Sequence, residues 1–200
     1  IQKYGEDAYT NGLIVTTTIR NKNQKAANKA LRDALLAYDK RHGYRGPEQF
    51  IDDIESKSEE DIIDILETFP ILSNLYPGVI QNVNEKSVIA HVLNIGEIEI
   101  HWEGLKWARK YISENKRGPK LERADELLRP GDIVRLLKTE NNEWMLSQIP
   151  DVEGGLISIS PNDGSVLALV GGFNYFKNKF NHVTQAKRQA GSGFKPFIYS

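Results

Sequence analysis

Leu156-Ile157-Ser158-Ile159-Ser160-Pro161-Asn162-Asp163-Gly164-Ser165-Val166-Leu167-Ala168-Leu169-Val170 is the stretch around which the rest of the chain can be organised. Two apolar runs rich in β-branched residues flank Pro161-Asn162-Asp163-Gly164, a tetrapeptide with turn formers in turn positions. The reading is a β-hairpin of Leu156 to Ser160 and Ser165 to Val170. Gly171 and Gly172 end it, a polar loop follows, and the chain then reads Arg188-Gln189-Ala190-Gly191-Ser192-Gly193-Phe194-Lys195-Pro196.

Ser192 and Lys195 form an SxxK pair. On a helix, residues three apart share a face with Cβ atoms roughly 5–6 Å apart, so a lysine amine there can take the proton of a serine hydroxyl. Pro196 has no N–H to give the carbonyl of Ser192, which is tolerable only where Ser192 stands at or next to the helix start. The positive end of the helix would then favour an oxyanion and a neutral lysine. Gly191 and Gly193 leave room for a substrate carbonyl. Bringing a lysine from its usual pKa of about 10.4 to a useful 7–8 means disfavouring its ammonium by roughly 3–5 kcal/mol, which requires a closed, desolvated site.

SxxK alone is a weak signal, because Ser113-Glu114-Asn115-Lys116 has the same spacing in a charged run without flanking glycines. On spacing alone, a helix-capping serine with a solvated lysine in the first turn is the commoner arrangement, and it is the surroundings of Ser192 that favour the catalytic reading.

Towards the start of the chain, Asn23 to His42 carries Ala27, Ala30, Leu31, Ala34, Leu35 and Tyr38 at helical spacing with Gly43 as its stop. Val15 to Ile19 reads as a strand leading into it. Glu48 to Glu67 holds nine carboxylates against Lys57 alone, with apolar residues that suggest two short acidic amphipathic helices, the second starting at Ser58. From Leu75 to Pro150 the pattern changes to short strands: Val79–Asn84, Ser87–Leu93, Gly96–Trp102, Asp132–Lys138 and Glu143–Ile149, with a helical interlude near Leu105 to Ile112. Five short strands of this kind predict a small barrel of the OB type.

OB barrels often bind oligonucleotides, and His101 to Arg123 has seven Lys or Arg against three Glu, interleaved with Trp102, Trp107 and Tyr111. The excess is four charges on a chain whose total, from 26 basic and 27 acidic residues, is −1, so no nucleic-acid partner is expected. With no cysteine, disulfides and thiolate metal sites are excluded. His42, His91, His101 and His182 lack ligand spacing, so no metal and no cofactor is expected. No stretch approaches the roughly 18–20 apolar residues of a membrane span. Lys177 to Lys195 contains five basic residues and no acidic one, which would raise the potential around Ser192 or merely solubilise a loop.

The run from Gly154 to Tyr199 resembles the start of the transpeptidase domain of class A penicillin-binding proteins, in which SxxK carries the nucleophile. Asn11 to Ile19 and Ala37 to Pro47 resemble the segment that joins the glycosyltransferase and transpeptidase domains in the 1A type of that family. The resemblance implies an α+β fold: an OB-like β-barrel domain inserted beside an incomplete α/β transpeptidase domain with its linker helices. The implied division is 1–70 linker, 71–150 OB-like domain and 151–200 start of the transpeptidase. It implies Ser192 as the acylated serine, Lys195 as its proton acceptor and the Ser192 N–H as half of an oxyanion hole. It further implies a bifunctional parent at the periplasmic face of the bacterial inner membrane, anchored outside this chain. Peptidoglycan stem peptides and β-lactams would be its ligands, and an outer-membrane lipoprotein activator a partner of the OB-like domain. Ile1 in place of Met and the apolar Pro196 to Tyr199 at the other end are expected of a piece of a larger protein. Only eight residues follow Ser192, without the family's SxN and KTG motifs, so the chain by itself is expected to be inactive.

Overall fold

The computed structural model describes Gly5 and residues 14–200; Asn11, Gly12 and Leu13 of the segment discussed above lie outside the described residues. Ala27, Leu31 and Leu35 recur every four residues and form the buried stripe of α1 (Asn21–His42), which Asp39, also buried, continues. Ala30, Ala34 and Tyr38, expected on the same face, are exposed. α1 starts two residues earlier than the spacing predicts because its first turn is held by β10 (Val166–Val170). The Arg20 N–H donates to Leu167 O at 2.9 Å, and the Gln24 carboxamide both accepts from Leu169 N and donates to Leu169 O at 2.9 Å. One glutamine side chain thus satisfies the backbone of a strand edge as a neighbouring strand would. Val15 to Ile19 is not a strand: it is exposed chain alongside β10, held by the Thr18 hydroxyl donating to Val166 O at 2.6 Å.

The expected first acidic helix is absent. Gln49–Phe50 is instead a two-residue strand, β1, paired with β7 (Asp132–Lys138), and Ile54–Ser56 is a single 3₁₀ turn. Asp53, in the left-handed region at φ 52°, breaks any helix there. The second is α2 (Glu59–Glu67), started by a reciprocal capping box in which Ser58 Oγ accepts from Asp61 N and the Asp61 carboxylate accepts from Ser58 N.

The strands of the middle segment are β2 (Leu75–Val83), β3 (Ser87–Val92), β4 (Gly96–His101), β7 and β8 (Trp144–Ser147), all antiparallel to their partners. Their order, β4-β3-β2-β7-β8, is that of an OB fold, with β1 added beside β8 on the outer edge of β7. No ladder joins β4 to β8. The short helix α3 (Trp102–Leu105) is laid against β8 at that seam, where a Cβ on Gly104 would come within 2.7 Å of Trp144 O. The barrel is therefore OB-like and partly open. The helix expected over Leu105 to Ile112 is confined to α3, and Tyr111–Ser113 turns back as β5 to pair with β6 (Lys116–Arg117).

Neighbouring residues along β2 and β7 divide the core. Ile80, Val134 and Leu136 fill the barrel with Val88, Ile100 and Leu146. Val79 and Ile133, pointing outward, meet Ile62 and Leu66 of α2. Leu75 joins α1, Ala168, Val170 and Phe173 in a third cluster, so α1 is seated on both the barrel and the hairpin of β9 (Leu156–Ile159) and β10. No described helix is long and apolar enough to cross a membrane.

Candidate active site

The expected hairpin forms, each strand one residue shorter at the turn, with Leu156 opposite Val170 and Ile159 opposite Val166, and one bulge between Val166 and Ala168. Its turn is tied by Gly164, at φ 71°, donating to Ser160 O, and by Asp163 Oδ1 accepting from Ser165 N. Hydrogen bonds from Ser160 and Ser165 hold the Asp163 carboxyl below the usual carboxylate range.

Past β10 the chain is carried to Ser192 by a loop fixed at a few points. Phe173 is buried, and its N–H donates to Glu153 Oε2 at 3.1 Å. The other Glu153 oxygen accepts from Lys177 Nζ at 2.8 Å, and Lys177 also donates to Pro150 O. Lys177 is thus neutralised on the spot and adds nothing to a field around Ser192. His182 donates from both its backbone N–H and its Nδ1 to Gly171 O at 2.8 Å. Asn181 Oδ1 accepts from Val183 N and Thr184 N, turning the chain towards Ser192. No feature of the sequence singled out Glu153 as the partner of Lys177, since 24 residues separate them.

A 3₁₀ turn over Gly191–Phe194 runs directly into α4 (Lys195–Tyr199), with Gly191 at φ 52° and Pro196 in the first turn. The Ser192 carbonyl, which Pro196 cannot serve, accepts the Lys195 N–H instead. Ser192 and Lys195 therefore lie three residues apart on one continuous helical run. A Cβ placed on Gly191 or Gly193 would meet nothing within 4 Å, so the backbone beside Ser192 is open to an approaching group. Both side chains are exposed, and no hydrogen bond joins Ser192 Oγ to Lys195 Nζ among the described residues. The Phe194 and Phe197 rings meet at a tilt of 36° with centroids 5.6 Å apart.

The other SxxK has a different geometry. Ser113 and Lys116 face each other across the β5–β6 hairpin, on a turn rather than on a helix. That spacing therefore has no helical face to act on.

The structure adds a junction that no local motif announced. Asp39, at the end of the buried stripe of α1, accepts from both terminal nitrogens of Arg45, at 2.8 and 2.9 Å, and from Gln148 Nε2 at 2.6 Å. Gln148 also donates to Gly43 O and accepts from Arg45 N, while Arg45 reaches Ile149 O and Asp151. This cluster ties α1 to the strand end where the barrel hands over to the hairpin.

The family model of the penicillin-binding protein OB-like domain matches residues 44–152. The chain belongs to the penicillin-binding proteins. Penicillin-binding protein 1A of Vibrio cholerae is 40% identical over 207 aligned positions that take in 100% of this chain and 25% of the relative. Penicillin-binding protein 1A of Escherichia coli is 38% identical over 99% of this chain and 23% of its own length. The crystal structure of penicillin-binding protein 1A from Haemophilus influenzae superposes with a TM-score of 0.80 at 30% identity, covering 99% of this chain and 28% of that one. The resemblance to class A penicillin-binding proteins is upheld along the whole chain, and with it the α+β architecture with its OB-like domain. The chain spans about a quarter of the length of the curated relatives it matches.

Proposed function

We propose that this chain serves peptidoglycan synthesis as part of a bifunctional glycosyltransferase and transpeptidase, and that Ser192 is the residue acylated in cross-linking. The observation that carries this reading is the helical start at Gly191–Phe194, which sets Ser192 one turn ahead of Lys195 with open backbone on either side. It gains weight from kinship with penicillin-binding protein 1A over the whole chain.

In the reaction, Lys195 Nζ takes the proton of Ser192 Oγ as the oxygen attacks the carbonyl of a D-Ala-D-Ala stem peptide. The Ser192 N–H supports the oxyanion, and the C–N bond to D-alanine then breaks as its nitrogen takes the proton held by Lys195. An acceptor amine attacks the acyl ester, its proton passing through Lys195 to the departing Ser192 Oγ. A β-lactam acylates the same oxygen. The lysine can act as a base only when desolvated, and Lys195 is exposed here, so this chain alone is expected to be inactive.

The same reading places the protein at the periplasmic face of the inner membrane, with the OB-like domain available to a lipoprotein activator. It divides the chain into linker (1–70), OB-like domain (71–150) and transpeptidase start (151–200); Gln49–Phe50 of the linker lends the barrel an edge strand. The test is mass spectrometry of the full-length protein after reaction with a penicillin. The adduct is expected on the peptide containing Ser192, and an adduct elsewhere would overturn the assignment.

A further inference from the structure

Asn28 and Arg32 of α1 line a pocket of about 360 Å³ together with the end of β10 and the loop that follows it. Two cations stand at it: Arg32 and, from the loop, Lys179. Among the described residues neither has a carboxylate within 4.0 Å, and no acidic side chain lines the pocket. Lys177, two residues before Lys179, is paired with Glu153, whose two oxygens are both engaged. The positive charge at the pocket is therefore not cancelled by the carboxylate behind Gly172.

The hydrogen-bond inventory of the pocket is one-sided. The side-chain oxygen of every asparagine lining it is taken up by the protein. Asn28 Oδ1 accepts from Gln24 Nε2 at 3.3 Å, Asn174 Oδ1 from Phe176 N at 2.8 Å, Asn178 Oδ1 from Phe180 N at 2.9 Å and Asn181 Oδ1 from Val183 N at 3.0 Å. An oxygen fixed in this way also fixes the NH2 at the other side of its amide. The Asn174 Nδ2 donates to Ser73 Oγ, whereas those of Asn28, Asn178 and Asn181 reach no acceptor among the described residues. Arg32 uses only its Nε, on Phe173 O at 3.4 Å, and both its terminal nitrogens are without a protein acceptor among the described residues. Main-chain oxygens are drawn in as well, Leu169 O by Gln24 and Gly171 O by His182. What the pocket offers is donors and positive charge, the complement of an anion.

Number and charge choose among anions. A carboxylate brings two oxygens and one charge, whereas a phosphomonoester brings three oxygens and close to two charges at neutral pH. Three amide NH2 groups, an arginine fork and an ammonium match the second. Leu169, Phe173 and Tyr175 add apolar wall that a bare inorganic ion would leave uncovered, and 360 Å³ holds a small organic group beside the phosphoryl. We infer that this pocket binds a small organic phosphomonoester, its phosphoryl oxygens on Arg32, Lys179 and the amides of Asn28, Asn178 and Asn181. The inference is independent of the proposed function and makes no use of Ser192.

Isothermal titration of the complete protein with phenyl phosphate, at physiological salt, tests it. Saturable one-to-one binding is expected, about tenfold weaker in R32Q/K179Q, which removes both cations. K187Q, which removes a lysine of the same basic run that does not line the pocket, is expected to bind as the wild type does. Benzoate, with a carboxylate in place of the phosphoryl group, is expected to bind about tenfold more weakly than phenyl phosphate, and inorganic phosphate more weakly too for want of the ring. Should R32Q/K179Q fail to fold, Lys179→Glu alone, at an exposed side chain, must weaken binding in the same direction. The inference falls if phenyl phosphate does not bind, if R32Q/K179Q binds as the wild type does, or if K187Q loses as much. It falls too if benzoate or inorganic phosphate matches phenyl phosphate, or if phosphatidic acid in vesicles binds and phenyl phosphate does not, which would make the pocket a membrane contact.

Discussion

Arg45 closes on Asp39 with two parallel hydrogen bonds, of 2.8 and 2.9 Å, across the turn that ends α1. Asp39 is only 4% exposed, and its carboxylate also accepts from Gln148 Nε2 and Asp151 N, so it joins the end of α1 to a segment more than 100 residues away in sequence. Replacing Asp39 with alanine leaves Arg45 and Gln148 without their acceptor in a largely desolvated place. The expected loss is about 2–4 kcal/mol in chemical denaturation, reduced towards the lower figure because Arg45 is partly solvated. Asp39→Asn, which keeps one acceptor, is expected to lose less.

Gly131 lies at φ 92°, and a Cβ there would stand 2.2 Å from Ile51 O, on the strand-like segment that β1 adds to the barrel. Gly164, at φ 71° in the hairpin turn, has nothing within 4 Å of a built Cβ. Both substitutions to alanine carry backbone strain, but only the first also forces chains apart. Gly164→Ala is expected to cost about 1 kcal/mol and Gly131→Ala at least about 3 kcal/mol, readable as urea midpoints. Equal costs would mean that strain alone sets the penalty.

Glu48 and Arg135 form a second two-pronged pair, at 2.7 and 3.0 Å, with Arg135 almost wholly buried in β7 and donating also to Pro70 O. Glu48→Ala strands a buried guanidinium and is expected to cost about 3 kcal/mol. Adding Arg135→Met to that variant is expected to recover part of the loss, since the unpaired charge goes with it. A strictly additive double variant would show that the two residues do not interact.

Burial raises the pKa of Asp132, against the opposing pull of the Arg129 N–H and guanidinium. A carboxyl whose native pKa lies above its unfolded value supports the fold fully below the unfolded pKa, and that support is lost as pH rises through the native value. Asp132→Asn removes the titration. The variant's stability relative to wild type is therefore expected to rise between pH 3.5 and pH 7, measured by urea denaturation at both; a relative fall would reverse the sign assigned to Asp132.

The barrel strands, α1 and the hairpin were legible because each repeats its pattern over several residues. Alternation in Gly96 to His101 and the four-residue stripe of Ala27, Leu31 and Leu35 are local signals that burial obeys. β1, two residues long, has no period to read, and its pairing with β7 rests on a partner more than 80 residues away. The helix expected beyond Leu105 stops because the Lys110 backbone bridges Tyr44, far off in the chain, and Tyr111 turns into β5 to pair with the adjacent β6. At the candidate site, the serine and lysine were readable from spacing, the glycines and Pro196. The pairing of Lys177 with Glu153 and the Asp39 cluster were not, because side-chain partners 24 to 109 residues apart leave no mark on local sequence.

The chain's two SxxK pairs offer the most direct test of the central claim, since helical setting and not spacing is held to make a serine reactive. Fluorescent penicillin is applied to the full-length protein and to its Ser192→Ala and Ser113→Ala variants, with folding checked by thermal melts. Label is expected to vanish from Ser192→Ala and to persist in Ser113→Ala. Label that survives Ser192→Ala in a folded protein would contradict the assignment of the nucleophile.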